Sequence, residues 1–419
     1  MKIKVKRMSY GDVVRLPKEK PLTPKRTNWF WRTLMKIASA GDLKATHFKH
    51  TEIGMEKLGK KEPCLYLMNH SSFIDLKIAS TVLYPRRFNI VMTSDGFVGK
   101  KNFMRGLGCI PTNKFVTDPM LVRNMTRCLK QLKTSVLLYP EASYTFDGTA
   151  TPLPYGIGKC VKILGVPVVM IKTEGAFLRD PLYNSLQLRK VDVSAAIEYL
   201  LSPEQIDGMS VDEINSVLKD RFTFDNFRYQ QEHGIVVDEP FRADGLERVL
   251  YKCPHCLSEG TTVGHGTKLT CNSCGVVYEL DEHGYLKCVN ASGKFDHIPA
   301  WYAWERSCVK EQIENGAYKL DIDVNVIVMK GYKAVYDIGK GRLTHGKEGF
   351  RLTCDGLDYV QPSRLSYSVY ADYFWYEIGD VICIGNNEML YYCFPQNTAG
   401  VVAKTRLAAE EIYKLITAK

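Results

Sequence analysis

At 419 residues the chain is too long for one ordinary domain and points to two to four, at about 100–200 residues each. Its 45% hydrophobic and 24% charged residues lie near the average of globular proteins and exclude disordered and fibrous classes. The formal charge of +10 falls wholly within residues 1–62, where sixteen Lys or Arg stand against six Asp or Glu, so an anionic partner, nucleic acid or an acidic bilayer, is expected. No run of about 18 apolar residues occurs, so membrane contact should be peripheral. The thirteen cysteines are odd in number and no apolar leader follows Met1, which implies a reduced, cytoplasmic compartment.

In chain order, residues 1–46 carry Pro17, Pro21 and Pro24 among basic residues and then an amphipathic helix over 27–38, with Asn28 as its cap. Together they read as a basic membrane-docking segment in which Trp29, Phe30 and Trp31 enter the interface. Over 47–235, short apolar runs at 64–68, 88–93, 136–139 and 166–171 alternate with helix-length stretches, which predicts an α/β domain with a mostly parallel sheet flanked by helices. A cysteine-rich stretch occupies 236–300. The last part, 301–419, is β-rich, with strand-like segments at 323–329, 367–370, 381–384 and 389–393 and a closing helix at 401–416. Several strands capped by one helix resemble a pleckstrin-homology-like small barrel.

Ligands of parallel sheets gather at the carboxyl ends of strands, and His70, Asp75 and Glu141 all follow closely after strand-like runs. A histidine held by a carboxylate can take a proton from a hydroxyl and stabilise its own imidazolium, the logic of the serine-protease triad without its nucleophile. A hydroxylated substrate fills the missing place and attacks an acyl thioester directly. A covalent route through Ser71, Ser72 or Ser143 would use the same base and ranks second.

Asn69-His70-x4-Asp75 resembles the first motif of the lysophosphatidate (1-acylglycerol-3-phosphate) acyltransferase family, and three blocks follow in that family's order. Residues 108–114, ending in Lys114 where the family usually has Arg, look like the second. Residues 139–144, with Glu141, Ser143 and Tyr144, are similar to the third, usually Phe-Pro-Glu-Gly-Thr-Arg. Residues 165–170 look like the fourth. The resemblance covers about residues 29–230 and implies a glycerolipid acyltransferase fold. It also implies an acyl-CoA or acyl carrier protein donor, a lysophospholipid acceptor, His70 as general base and Asp75 as its partner. Asn69, Lys114, Glu141, Ser143 and Tyr144 would then be the substrate-binding set. Lys114 loses the bidentate fork of Arg and Tyr144 loses a charge, so another hydroxylated acceptor could compete with lysophosphatidate. Lys100, Lys101 or Lys159 would be the residues to restore phosphate contact. A catalytically weak relative used for lipid binding is the rival reading, against which stands the retention of His70 and Asp75.

Cys253-x2-Cys256 and Cys271-x2-Cys274, fourteen residues apart, have zinc-ribbon spacing. Four thiolates leave no open position, so the zinc is expected to be structural, with no catalytic metal elsewhere. Residues 257–280 contain one basic residue, Lys268, and no nucleic acid is therefore expected as a partner.

Overall fold

The computed structural model describes residues 2–116, 118–396 and 400–417. The strand Leu65–Met68 has every side chain buried. A strand covered on both faces gains nothing from polar alternation, hence its wholly apolar run. Its successive residues still point to opposite faces. Tyr66 and Met68 pack with Leu43, Ile78 and Met104, whereas Leu65 and Leu67 pack with Val161, Leu164 and Leu218.

Seven strands lie side by side in the order Lys49–Ile53, Ser194–Leu201, Val168–Glu174, Leu65–Met68, Ser135–Leu138, Phe88–Thr93, Cys109–Thr112. All pair in parallel except Val168–Glu174 with Ser194–Leu201. The mostly parallel α/β layer is therefore present, and the loops leaving the carboxyl ends of its central strands collect on one rim.

Residues 320–395 form an antiparallel meander whose first strand, Leu320–Met329, pairs with both the second, Val335–Gly346, and the last, Leu390–Pro395. The closing helix, Val401–Thr417, buries Val402, Leu407 and Ile412 and lies against the helix Ile298–Glu314. Between the two sheets, four short antiparallel strands from Thr262–His265 to Leu286–Cys288 carry the cysteine knuckles. Among the described residues no helix is long and apolar enough to cross a membrane.

Two expected boundaries change. Residues 1–46 do not form one docking unit: Val5–Arg7 is a parallel edge strand on Val335–Asp337, and Val13 is buried in the C-terminal core. Glu19 accepts from Lys101 Nζ (2.8 Å) and from the Tyr332 amide (3.2 Å), tying the two halves together. Only Trp29–Ala45 is the expected helix, with Asn28 accepting from the Trp31 amide at 3.1 Å. Basic composition carries no sign of a partner strand so far along the chain. The spans 236–300 and 301–419 likewise share one core, in which Cys253, Tyr278, Trp301, Val324 and Leu407 are contiguous.

Candidate active site

His70 leaves the end of Leu65–Met68, and the helix Asp75–Val82 begins five residues later. Asp75 Oδ2 accepts from the amides of Ser71 (2.8 Å) and Ser72 (3.1 Å) and lies 3.1 Å from His70 Nδ1. An oxygen already accepting two N–H groups makes Nδ1 the protonated nitrogen and leaves the Nε2 lone pair free. The imidazole is sandwiched between Tyr139 and Tyr144, with ring centroids 4.0 and 3.9 Å away. Burial, assisted by the charge of Lys114, holds His70 well below its usual value and therefore neutral. Burial likewise pushes Asp75 up to about 7 against the pull of its two amide donors.

Around this pair, three of the expected substrate-binding residues turn out to support the loops. Asn69 is fully buried and clips the adjacent strand, accepting from the Thr173 amide (2.8 Å) and donating to the Thr173 carbonyl (3.1 Å). Glu141 is 1% exposed; it accepts from the His70 amide (2.9 Å) and from the Thr151 amide (2.9 Å) and hydroxyl (3.0 Å), joining two loops beneath His70. Ser143 turns to Arg406, whose Nη1 stands 3.4 Å from its hydroxyl and 3.3 Å from the Tyr144 carbonyl. None of the three lines the cavity, because in each case backbone amides or carbonyls at the strand ends need the side chain as their partner. Among the described residues no serine hydroxyl bonds the His70 ring: Ser72 donates to Asp180, and Ser71 accepts from Asn69 at 3.1 Å. Lys101 is engaged with Glu19, and neither it nor Lys100 or Lys159 faces the cavity.

His70, Tyr144 and Lys114 do share one cavity of about 1010 Å³. One side is apolar, with Trp31, Met35, Leu76, Met104 and Leu107. The opposite wall comes from the C-terminal meander, through Tyr367, Tyr370, Asp372 and Trp375. The two halves are pinned where the Trp375 indole donates to Asp95 Oδ2 at 3.1 Å. Sequence reasoning missed this wall and also Asp95, although Asp95 follows the strand Phe88–Thr93 at the same carboxyl rim and was open to the strand-end argument. For Asp372 and Arg406 no local signal exists.

The four ribbon thiols could hold a metal ion. Tetrahedral thiolate bonds of about 2.3 Å imply sulfur separations of about 3.8 Å. Cys253 and Cys274 Sγ are 3.7 Å apart, as are Cys256 and Cys271, and all four sulfurs lie within 4.8 Å of one another. A disulfide would need about 2.05 Å.

A strand-end His–Asp pair thus faces a largely apolar cavity at the rim of an α/β layer. The acyltransferase family model matches residues 49–172. A 1-acyl-sn-glycerol-3-phosphate acyltransferase of Chlamydomonas reinhardtii is 26% identical over 173 residues, which are 38% of this chain and 49% of that protein. A chloroplastic enzyme of the same name from Brassica napus is 30% identical over 138 residues, 30% of this chain and 38% of that protein. The crystal structure of the 1-acyl-sn-glycerophosphate acyltransferase of Thermotoga maritima aligns with a TM-score of 0.38 at 15% identity, covering 46% of this chain and 76% of that one. The family match is confined to residues 49–172, and the chain spans about half or less of the length of the curated relatives it matches.

Proposed function

We propose that this protein transfers a fatty acyl group from acyl-CoA or acyl carrier protein to a hydroxyl of a lysophospholipid, with His70 as general base. The observation that carries the reading is the His70 imidazole, held through Nδ1 by Asp75 and facing the cavity while neutral. The acceptor oxygen bonds to the thioester carbonyl carbon as its proton passes to Nε2. The tetrahedral adduct collapses with cleavage of the C–S bond, and the imidazolium returns the proton to the departing thiolate. Asp75 acts through His70 by fixing the tautomer and offsetting the imidazolium charge, and Tyr139 and Tyr144 exclude water from its two faces. The apolar side of the cavity suits an acyl chain.

His70→Ala in the full chain is expected to lower acyl transfer by about 10²–10⁴ with an unchanged melting temperature. Lipid mass spectrometry of cells with and without the intact residue reads the same loss. Retention of most of the turnover would overturn the base assignment.

Docking on the cytoplasmic face of an anionic membrane is supported by the helix Trp29–Ala45, where Trp29 (70% exposed), Phe30 and Ile37 face outward. Trp31, from the same helix, stacks edge-on with the exposed Phe103 and lines the cavity, so the apolar surface adjoins the site. Vesicle sedimentation should weaken with salt and with Trp29→Ser/Phe30→Ser. Equal sedimentation of that variant would place docking elsewhere. The ribbon cysteines fit structural zinc, and an antiparallel sheet followed by one closing helix supports the pleckstrin-homology-like reading of the C-terminal part.

A further inference from the structure

Resting on the acyl-transfer reading, we infer that Asp372 of the C-terminal meander, with Asp95, forms an ammonium-binding half of the acceptor pocket beside Lys114, selecting a zwitterionic lysophospholipid over lysophosphatidate.

The charges beside the base do not suit a phosphate dianion. Lys114 occupies the position where the family motif has its Arg, and its Nζ stands 4.3 Å over the ring of Tyr370. Two carboxylates act on it, Asp372 and Asp95, which favour its ammonium form against burial. Both carboxylates line the cavity beside Lys114, whose own charge also feels Arg406; the other charged lining residues are Arg32, Arg86, Arg364, Asp118 and Glu377. A dianion seated at Lys114 meets Asp372 and Asp95 beside that cation. A phosphodiester carries a single charge, and its attached ammonium can meet the carboxylates.

The carboxylates are built for that task. Asp372 is held in place by the Tyr370 hydroxyl (3.0 Å) and the Tyr373 amide (3.0 Å). Burial pushes its carboxyl up to only about 6, so it is ionised at pH 7.5. Asp95 is 2% exposed; Oδ2 accepts from Trp375, and Oδ1 is enclosed without a hydrogen-bond partner. A buried, unpaired carboxylate oxygen is costly unless a ligand donates to it. The rings of Tyr367, Tyr370 and Trp375 line the same cavity, and the Lys114 ammonium over Tyr370 shows one such ring receiving a cation. The same cavity is lined by Tyr144, whose ring stacks on His70.

The test is equilibrium binding to the full chain at pH 7.5, below micellar concentrations, of lysophosphatidylethanolamine and lysophosphatidate with the same acyl chain. Wild type should bind the zwitterion at least about tenfold more tightly. Asp372→Asn should weaken the zwitterion and strengthen lysophosphatidate, moving their ratio by about a hundredfold, and Asp372→Glu should restore the order in part. Wild-type preference for lysophosphatidate would overturn the inference. So would a change of equal size for both ligands in a folded Asp372→Asn protein, since a purely structural carboxylate affects both alike. If Asp372→Asn fails to fold, the wild-type ratio and Asp95→Asn decide. Turnover is scored separately with His70→Ala as control: preference for the zwitterion without acyl transfer to either ligand refutes the acyl-transfer reading and upholds the recognition, whereas transfer with preference for lysophosphatidate refutes the recognition alone.

Discussion

The two large sheets meet at one cavity but bring their groups to it in different ways. In the parallel sheet the central strand Leu65–Met68 is buried on both faces and wholly apolar, and the polar groups that reach the cavity stand where strands end: His70 after Met68, Asp95 after Thr93, Lys114 after Thr112. The meander has one face on its own core and lends part of the other to the cavity. Its contributions therefore sit within a strand, as Tyr370 and Asp372 do in Tyr370–Trp375. A polar residue at the end of an apolar run stands out, whereas one in an alternating strand looks like ordinary solvent-facing surface.

The comparison is broken most severely by removing the metal expected at the ribbon. Metal analysis of the purified protein should give one zinc per chain, and structural sites of this type supply about 10–16 kcal/mol of apparent binding free energy. Cys253 and Cys271 belong to the same core as the meander and the closing helix. Chelation or Cys253→Ser should therefore raise hydrogen exchange across residues 250–417 while the strands at 65–68, 135–138 and 168–174 stay protected. Equal exchange in both regions would show that the two sheets unfold as one.

A middle-sized effect comes from pH and isolates the strand-end pair. The proposed mechanism requires His70 neutral and Asp75 ionised. His70 is held well below its usual value and does not limit near neutrality, whereas Asp75 is held up to about 7 and gains its proton as pH falls. The value of kcat/KM should accordingly decline as pH drops through about 7. Asp75→Asn should lower the rate and flatten that limb. Glu141, also pushed up to about 7 by burial, accepts from the His70 amide, so Glu141→Gln is the control and should keep the limb. A limb that vanishes with Glu141→Gln and survives Asp75→Asn would transfer the titration to Glu141.

The smallest effect is confined to one loop of the parallel sheet. Ala142, where the related motif usually has Gly, adopts φ +57° in the left-handed region. Relief of about 1–2 kcal/mol of strain is offset by about 0.5–1 kcal/mol of added chain entropy on substitution by Gly. Ala142→Gly should raise stability by about 0.5–1 kcal/mol in thermal melts with activity retained. A lower melting temperature would mean that the Ala142 methyl packs usefully, and the strain argument would fall.

What the sequence by itself determined lies in short-range order. The buried strands at 64–68 and 136–139, the pairing of His70 with Asp75 across one strand-to-helix turn, the two cysteine knuckles and the closing helix all depend on residues a few positions apart, where periodicity, capping and ligand spacing are direct consequences of backbone geometry. The roles of Asn69, Glu141 and Ser143 were not legible because a polar residue near His70 looks the same whether it faces a ligand or a neighbouring loop. Only the tertiary structure decided that, by giving each a backbone or Arg406 partner. It alone also placed Val5–Arg7 on the meander, merged the ribbon with the C-terminal core, and set Asp372 beside Lys114. These contacts join residues far apart in sequence, and no local pattern records them, because the chain between can close in many ways and the shared apolar core selects one.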